Sequence, residues 1–140
     1  MGQNVHAVLL GVKVGVPPEK YQDNDDEGGD GWQGFVDDAE IAVANAGHVG
    51  SMPVFAWDES SGNLDGTSLV GAWIAVGRYG DNEVPGLDTP IQLDKMVEDD
   101  RYKSAIMAAE RSFAIVREWA LAQGVDLGEP TLWLTTTSVR

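Results

Sequence analysis

Val8, Leu10, Val12, Val14 and Val16 alternate with Ala7, Leu9, Gly11, Lys13 and Gly15, a period of two that fits an extended strand with one apolar side. No other feature constrains the fold as much, because a strand needs neighbours for its backbone and a layer over its apolar side. The pattern predicts a first strand over 5–16, ended by Pro17-Pro18, which give no donor to a ladder. Pro53 to Trp57, Thr67 to Tyr79 and Thr131 to Val139 share a strand composition of Val, Leu, Trp, Ile and Thr. The polar linker Asp58 to Gly66 makes the middle two a hairpin with a long acidic loop.

Tyr102, Ile106, Ala109, Phe113, Val116 and Ala120 recur at four-three spacing, with Lys103, Glu110 and Arg117 on a polar stripe. That spacing predicts a long helix from Asp94, as N-cap, to Gln123, with Gly124 as its stop. Ile115, Trp119 and Ala122 form a second stripe, which fits either a wide core face or a contact for a partner. A shorter helix is expected from Asp37 to about Ala46, opened by Asp37-Asp38-Ala39-Glu40 as a carboxylate form of the capping box and closed by Gly47. Ile41-Ala42-Val43 within it also reads as strand. Residues 21–34, where acids crowd among glycines, and 80–90, rich in Pro, Gly and Asp, are expected loops.

Strand, helix, strand, strand, helix, strand is the order of the ferredoxin-like split βαβ fold (βαββαβ). The expectation is an α+β chain with a four-stranded antiparallel sheet and two helices on one face, in one domain over 1–140. That plan hosts many unrelated activities, so it carries no function with it. Parity then sorts the strand residues into two faces. Val8, Leu10, Val12, Val14, Val54, Ala56, Val70, Ala72, Ile74, Val76, Leu132 and Leu134 are expected beneath the helices. Phe55, Trp57, Leu69, Trp73, Tyr79 and Trp133, with Leu9 nearby, are expected on the other face as a partly exposed aromatic surface for a partner. Two other arrangements remain open: the long loops fold over this face, or the helices pack on it.

Twenty-three acids stand against nine bases, a formal net charge of −14, and the bases never cluster. Such a field repels phosphate backbones and anionic membranes, so neither nucleic acid nor a membrane is an expected direct partner. Solubility, adaptation to high salt, or a surface made for a basic partner each account for the acidity. With no cysteine there is no disulfide frame, thiolate metal site or cysteine nucleophile. No apolar run approaches the ~20 residues of a membrane span. Met1-Gly2-Gln3-Asn4 lacks the basic start of a secretory signal, so a cytoplasmic setting is expected.

Sites for chemistry find little support. Gly29-Asp30-Gly31-Trp32-Gln33-Gly34 has the spacing of a dinucleotide loop, but no apolar strand feeds it and carboxylates surround it. Asp23, Asp25 and Glu27 begin like a calcium loop, yet Asp30 and Gly34 stand where an apolar residue and the closing glutamate belong. His6 and His48 have no second ligand at metal spacing, and no nucleophile elbow is present. No cofactor, metal site or catalytic residue is therefore assigned.

In charge and size alone the chain resembles immunity proteins and phage-encoded inhibitors that occupy nucleic-acid-binding surfaces. The expected function is a non-enzymatic module that docks on a basic protein, with Asp23, Asp25, Asp26, Glu27, Asp30, Asp58 and Glu59 steering the approach and the aromatic face giving affinity. The alternatives are a self-associating or small-ligand domain using the aromatic face, and an enzyme using carboxylates with a divalent metal.

Overall fold

The computed structural model describes residues 3–22, 31–48, 51–57, 68–77, 86–87 and 92–139. In chain order the elements are β1 (Gln3–Val14), α1 (Glu19–Gln22), α2 (Gly31–Asn45), β2 (Val54–Trp57), β3 (Ser68–Gly77), β4 (Gly86–Leu87), α3 (Leu93–Met96), α4 (Asp100–Ala122) and β5 (Thr131–Val139). The chain is α+β, and four strands pair antiparallel in the order β2-β3-β1-β5. A fifth, the two-residue β4, runs parallel beside the end of β3 through Val76 and Gly86. Tyr102 ties it to α4 by donating its hydroxyl to the Gly86 carbonyl at 3.2 Å. Among the described residues, five strands and four helices thus stand where four and two were expected, the additions being short.

The helix limits differ from expectation for local reasons. α4 begins at Asp100 because the preceding Asp99 is extended, at φ −86° and ψ 119°, and its carboxylate accepts the Arg101 backbone N–H at 2.9 Å. Arg101's side-chain hydrogen bonds to the same carboxylate hold its pKa below the usual range. Asp94, the expected cap, lies instead inside the one-turn α3. α2 starts six residues before Asp37, since Trp32, Phe35, Val36, Ala39 and Val43 make a buried stripe whose packing outweighs the glycines and carboxylates beside it. Both long helices end as expected, at Gly47 (φ 81°) and Gly124 (φ 83°). The next N–H then returns to the last turn, His48 to Val43 and Val125 to Ala120.

Both long helices pack on one side of the sheet. α4 places Tyr102, Ala105, Ile106 and Ala109 against Val8, Leu10, Ala72 and Ile74. α2 and the later part of α4 close over Val70, Val14 and Phe55. Phe55 is therefore a correction: its register partner is Val70, which puts it beneath the helices, while Val54 and Ala56 pair with Gly71 and Leu69 on the other side. A bulge in β3 also breaks the parity, so that Val8 pairs with Ala75 but Leu9 with Trp73, and Val76 turns to the side of Ala7. Leu134, expected in the core, is exposed on β5 at the sheet edge.

Gly11 and Gly71 are register partners at the middle of the β1–β3 ladder. A Cβ on Gly11 would collide with the Val70 carbonyl oxygen, and one on Gly71 with that of Leu10. Such close backbone approach lets the sheet curl, and Cα atoms of β2 and β5, the two ends of the strand order, come within 8 Å of one another. Ala7, Leu9, Ala56 and Leu69, on the side away from the helices, are all buried.

Gly71→Ala is expected to destabilise the fold by at least about 1–3 kcal/mol, as overpacking does. Gly15→Ala, whose added methyl meets nothing within 4 Å, is expected to be near neutral. Urea unfolding of the two variants checks the contrast; equal midpoints would remove the curl as a constraint.

Candidate functional site

The side of the sheet away from the helices carries a row across three strands, Trp73 on β3, Leu9 on β1 and Trp133 on β5, set by the shared register. Leu9 is 0% exposed, Leu69 is 2% exposed, and the two tryptophans are half-buried. Trp133 pairs with Leu9, yet its indole N–H donates to the carbonyl of Gly11 at 3.0 Å, so the ring lies along β1 over the glycine rather than standing out. Trp73 and Trp133 thus stand partly exposed beside the buried Leu9 and Leu69.

Not every member of that expected surface joins the row. Phe55 is on the helix side, Trp57 pairs by its backbone with Ser68 at the end of β2, and Tyr79 lies outside the described residues. Asp23, Asp25, Asp26, Glu27, Asp30, Asp58 and Glu59 all lie outside the described residues as well. His6 is exposed on β1, and His48 follows the glycine that ends α2. Among the described residues, no group of three or more His, Cys, Asp or Glu side chains is placed to hold a metal ion, and no helix is long and apolar enough to cross a membrane.

The more open apolar surface is on the helices. Phe35 of α2 meets Tyr21, Trp32 and Trp119 at centroid distances of 5.7, 5.0 and 5.0 Å, and this aromatic contact fixes the spacing of α1, α2 and α4. Trp32 is held in turn by donating its indole N–H to the Gly15 carbonyl at 2.7 Å. Outside that contact lies a groove of about 490 Å³ lined by Ile41, Ala42 and Asn45 of α2 and by Ile115, Glu118, Trp119 and Ala122 of α4. Ile41 is 60% exposed on its wall, and half-buried Trp119 and Ile115 form its floor. A second groove, of about 320 Å³, runs along the opposite flank of α4, where Phe113, Ala114, Leu121 and Pro130 are joined by Glu110, Arg117, Glu118 and Glu129. Glu118 thus lies between the two.

Of the stripe Ile115, Trp119 and Ala122, Trp119 packs against Phe35 and all three line the groove. Ile41, Ala42 and Asn45 fall within the helix expected from Asp37 to about Ala46, but their place beside α4 depends on helix packing that the sequence does not show, and Ile41-Ala42-Val43 also reads as strand. The three-one-three-four spacing of Trp32, Phe35, Val36, Ala39 and Val43 was the available signal for the earlier start of α2.

The described residues hold twelve acids and seven bases, among them the exposed Lys13, Lys20 and Arg111. Arg101 and Arg117 are bound to Asp99 and Glu129 at 3.0 and 2.9 Å, and Lys95 and Lys103 lie near Glu98 and Asp100 at 4.0 and 3.9 Å. Glu110 and Glu118 face water from α4, and Asp37 and Glu40 from α2. Neither long helix has a basic residue in its last turn, so the negative end of each backbone dipole is uncompensated there.

No protein-family model, curated protein or solved structure matches this chain.

Tyr21 donates its hydroxyl to Asp38 Oδ2 at 2.8 Å, and burial, reinforced by that carboxylate, pushes its pKa up from 10.0 to about 12. The folded state therefore favours the neutral phenol, so this group's stabilisation is complete below the unfolded pKa of about 10 and is lost as pH rises toward the folded value. Urea midpoints followed from pH 9 upward should fall more steeply through that window for the native chain than for Tyr21→Phe. Parallel curves would remove Tyr21 as the source.

Proposed function

We propose that this chain is a non-enzymatic acidic docking domain that binds a basic protein and covers the surface that protein uses for an anionic ligand. We read the four longer strands and two long helices as the ferredoxin-like split βαβ plan, with α1, α3 and β4 added and the sheet curled. The observation that carries the functional reading is the surface around α4. There the exposed apolar groups Ile41 and Leu121 stand among Glu110, Glu118 and Glu129, and Arg117, the one cation lining either groove among the described residues, is already bound to Glu129. Apolar anchors among an excess of carboxylates are the arrangement expected of a surface that selects an oppositely charged partner. Carboxylates of this chain take the place of phosphates against Lys and Arg of the target, while the net charge of −14 speeds encounter. The row Trp73–Leu9–Trp133, whose two tryptophans are half-buried, remains a second contact of the same reading.

Affinity capture from host lysate at low salt, with a stepwise salt elution, tests it. A basic protein should be retained and then released as the screening length falls from about 10 Å at 0.1 M salt to about 3 Å at 1 M. Retention indifferent to salt, or retention of acidic proteins only, would count against the proposal.

A further inference from the structure

The groove between α2 and α4 points to the form of the ligand. We infer that it receives an amphipathic helix whose apolar stripe is flanked by Lys or Arg, an inference that rests on the docking function proposed above and names its anchor. The trough is walled by two helices, and small residues at Ala42 and Ala122 leave room for large apolar side chains above Trp119 and Ile115. An apolar stripe at i, i+3, i+4 and i+7 fits such a trough between helices. The charge of the flanking residues follows from the walls. Glu118 lines the groove, the C-terminal halves of both helices border it, and neither has a basic residue in its last turn. Carboxylate and helix dipoles therefore act together on the ligand's cations and against its anions. A second copy of this chain, also at −14, would meet like charge at this surface.

The probe is a synthetic 18-residue helix of Leu and Lys with Leu at i, i+3, i+4 and i+7, titrated calorimetrically into the full chain at low salt. A Gly/Lys peptide of equal charge is the comparison. The Leu/Lys helix is expected to bind at least tenfold tighter than the Gly/Lys peptide. Ala122→Glu, which plugs the groove while adding negative charge, and Ile41→Ser, which removes its apolar wall at constant charge, should each weaken the helix at least fivefold. Ser104→Glu, with the same charge change as Ala122→Glu on an exposed turn outside the groove, should not weaken it. Unchanged unfolding midpoints confirm that the variants fold. If Ala122→Glu and Ser104→Glu tighten binding alike, the groove is refuted and the charge reading stands. If neither peptide binds the native chain, both fall. Equal affinity for the two peptides refutes the helical ligand, and a concentration-dependent dimer in sedimentation that Ala122→Glu abolishes gives the groove to a second copy instead.

Discussion

The close approach of β1 and β3 at Gly11 and Gly71 determines what the two sides of the sheet can do. Any side chain at either position would occupy space already filled by a neighbouring carbonyl, so the strands meet there backbone to backbone. The sheet then bends far enough for β2 to near β5, and the side away from the helices becomes its own partial cover, with Leu9 and Leu69 buried. Trp133 completes this cover by lying along β1 and donating to the Gly11 carbonyl. A flat sheet of the same composition would need a second layer over its aromatic side or would expose it; the curl removes that choice.

With Leu9 and Leu69 buried on the sheet's far side, the apolar grooves found among the described residues lie on the helices, where Phe35 is decisive. Its ring touches Tyr21, Trp32 and Trp119, and so joins the short turn after β1 to both long helices. Phe35 is buried, so Trp119 is held from behind by a core residue while another part of it lines the groove. A groove built on a packed aromatic is pre-formed, and a ligand entering it need not order the floor first.

Strand existence, the apolar stripe of α4 and both glycine stops were legible because each depends on neighbours a few positions away along the chain. Which strand face meets the helices was not, because it depends on register between strands far apart in sequence. Phe55 shows the difference. Its alternation with Val54 and Ala56 was read correctly, but pairing Val70 with Phe55 rather than with a neighbour moved all three to opposite faces from those expected. Val76 changed sides through a one-residue bulge that leaves no compositional mark. The start of α2 was obscured for another reason: glycines and carboxylates speak against a helix locally, and the buried stripe from Trp32 to Val43 prevails through contacts with Phe55, Val70 and α4.

The acidity and the apolar groove belong together on energetic grounds. A net charge of −14 weakens the compact state through self-repulsion, and most described ion pairs are exposed, where such pairs contribute about 0–1 kcal/mol. The charge therefore does not hold this fold together; the two buried clusters do. Dispersed acidity by itself steers a cation equally to every part of the surface and gives no orientation. Exposed Ile41 and the part of Trp119 that lines the groove offer what charge lacks, a short-range apolar surface of fixed shape. In the docking function proposed above, field and groove would divide the work between rate of encounter and choice of partner.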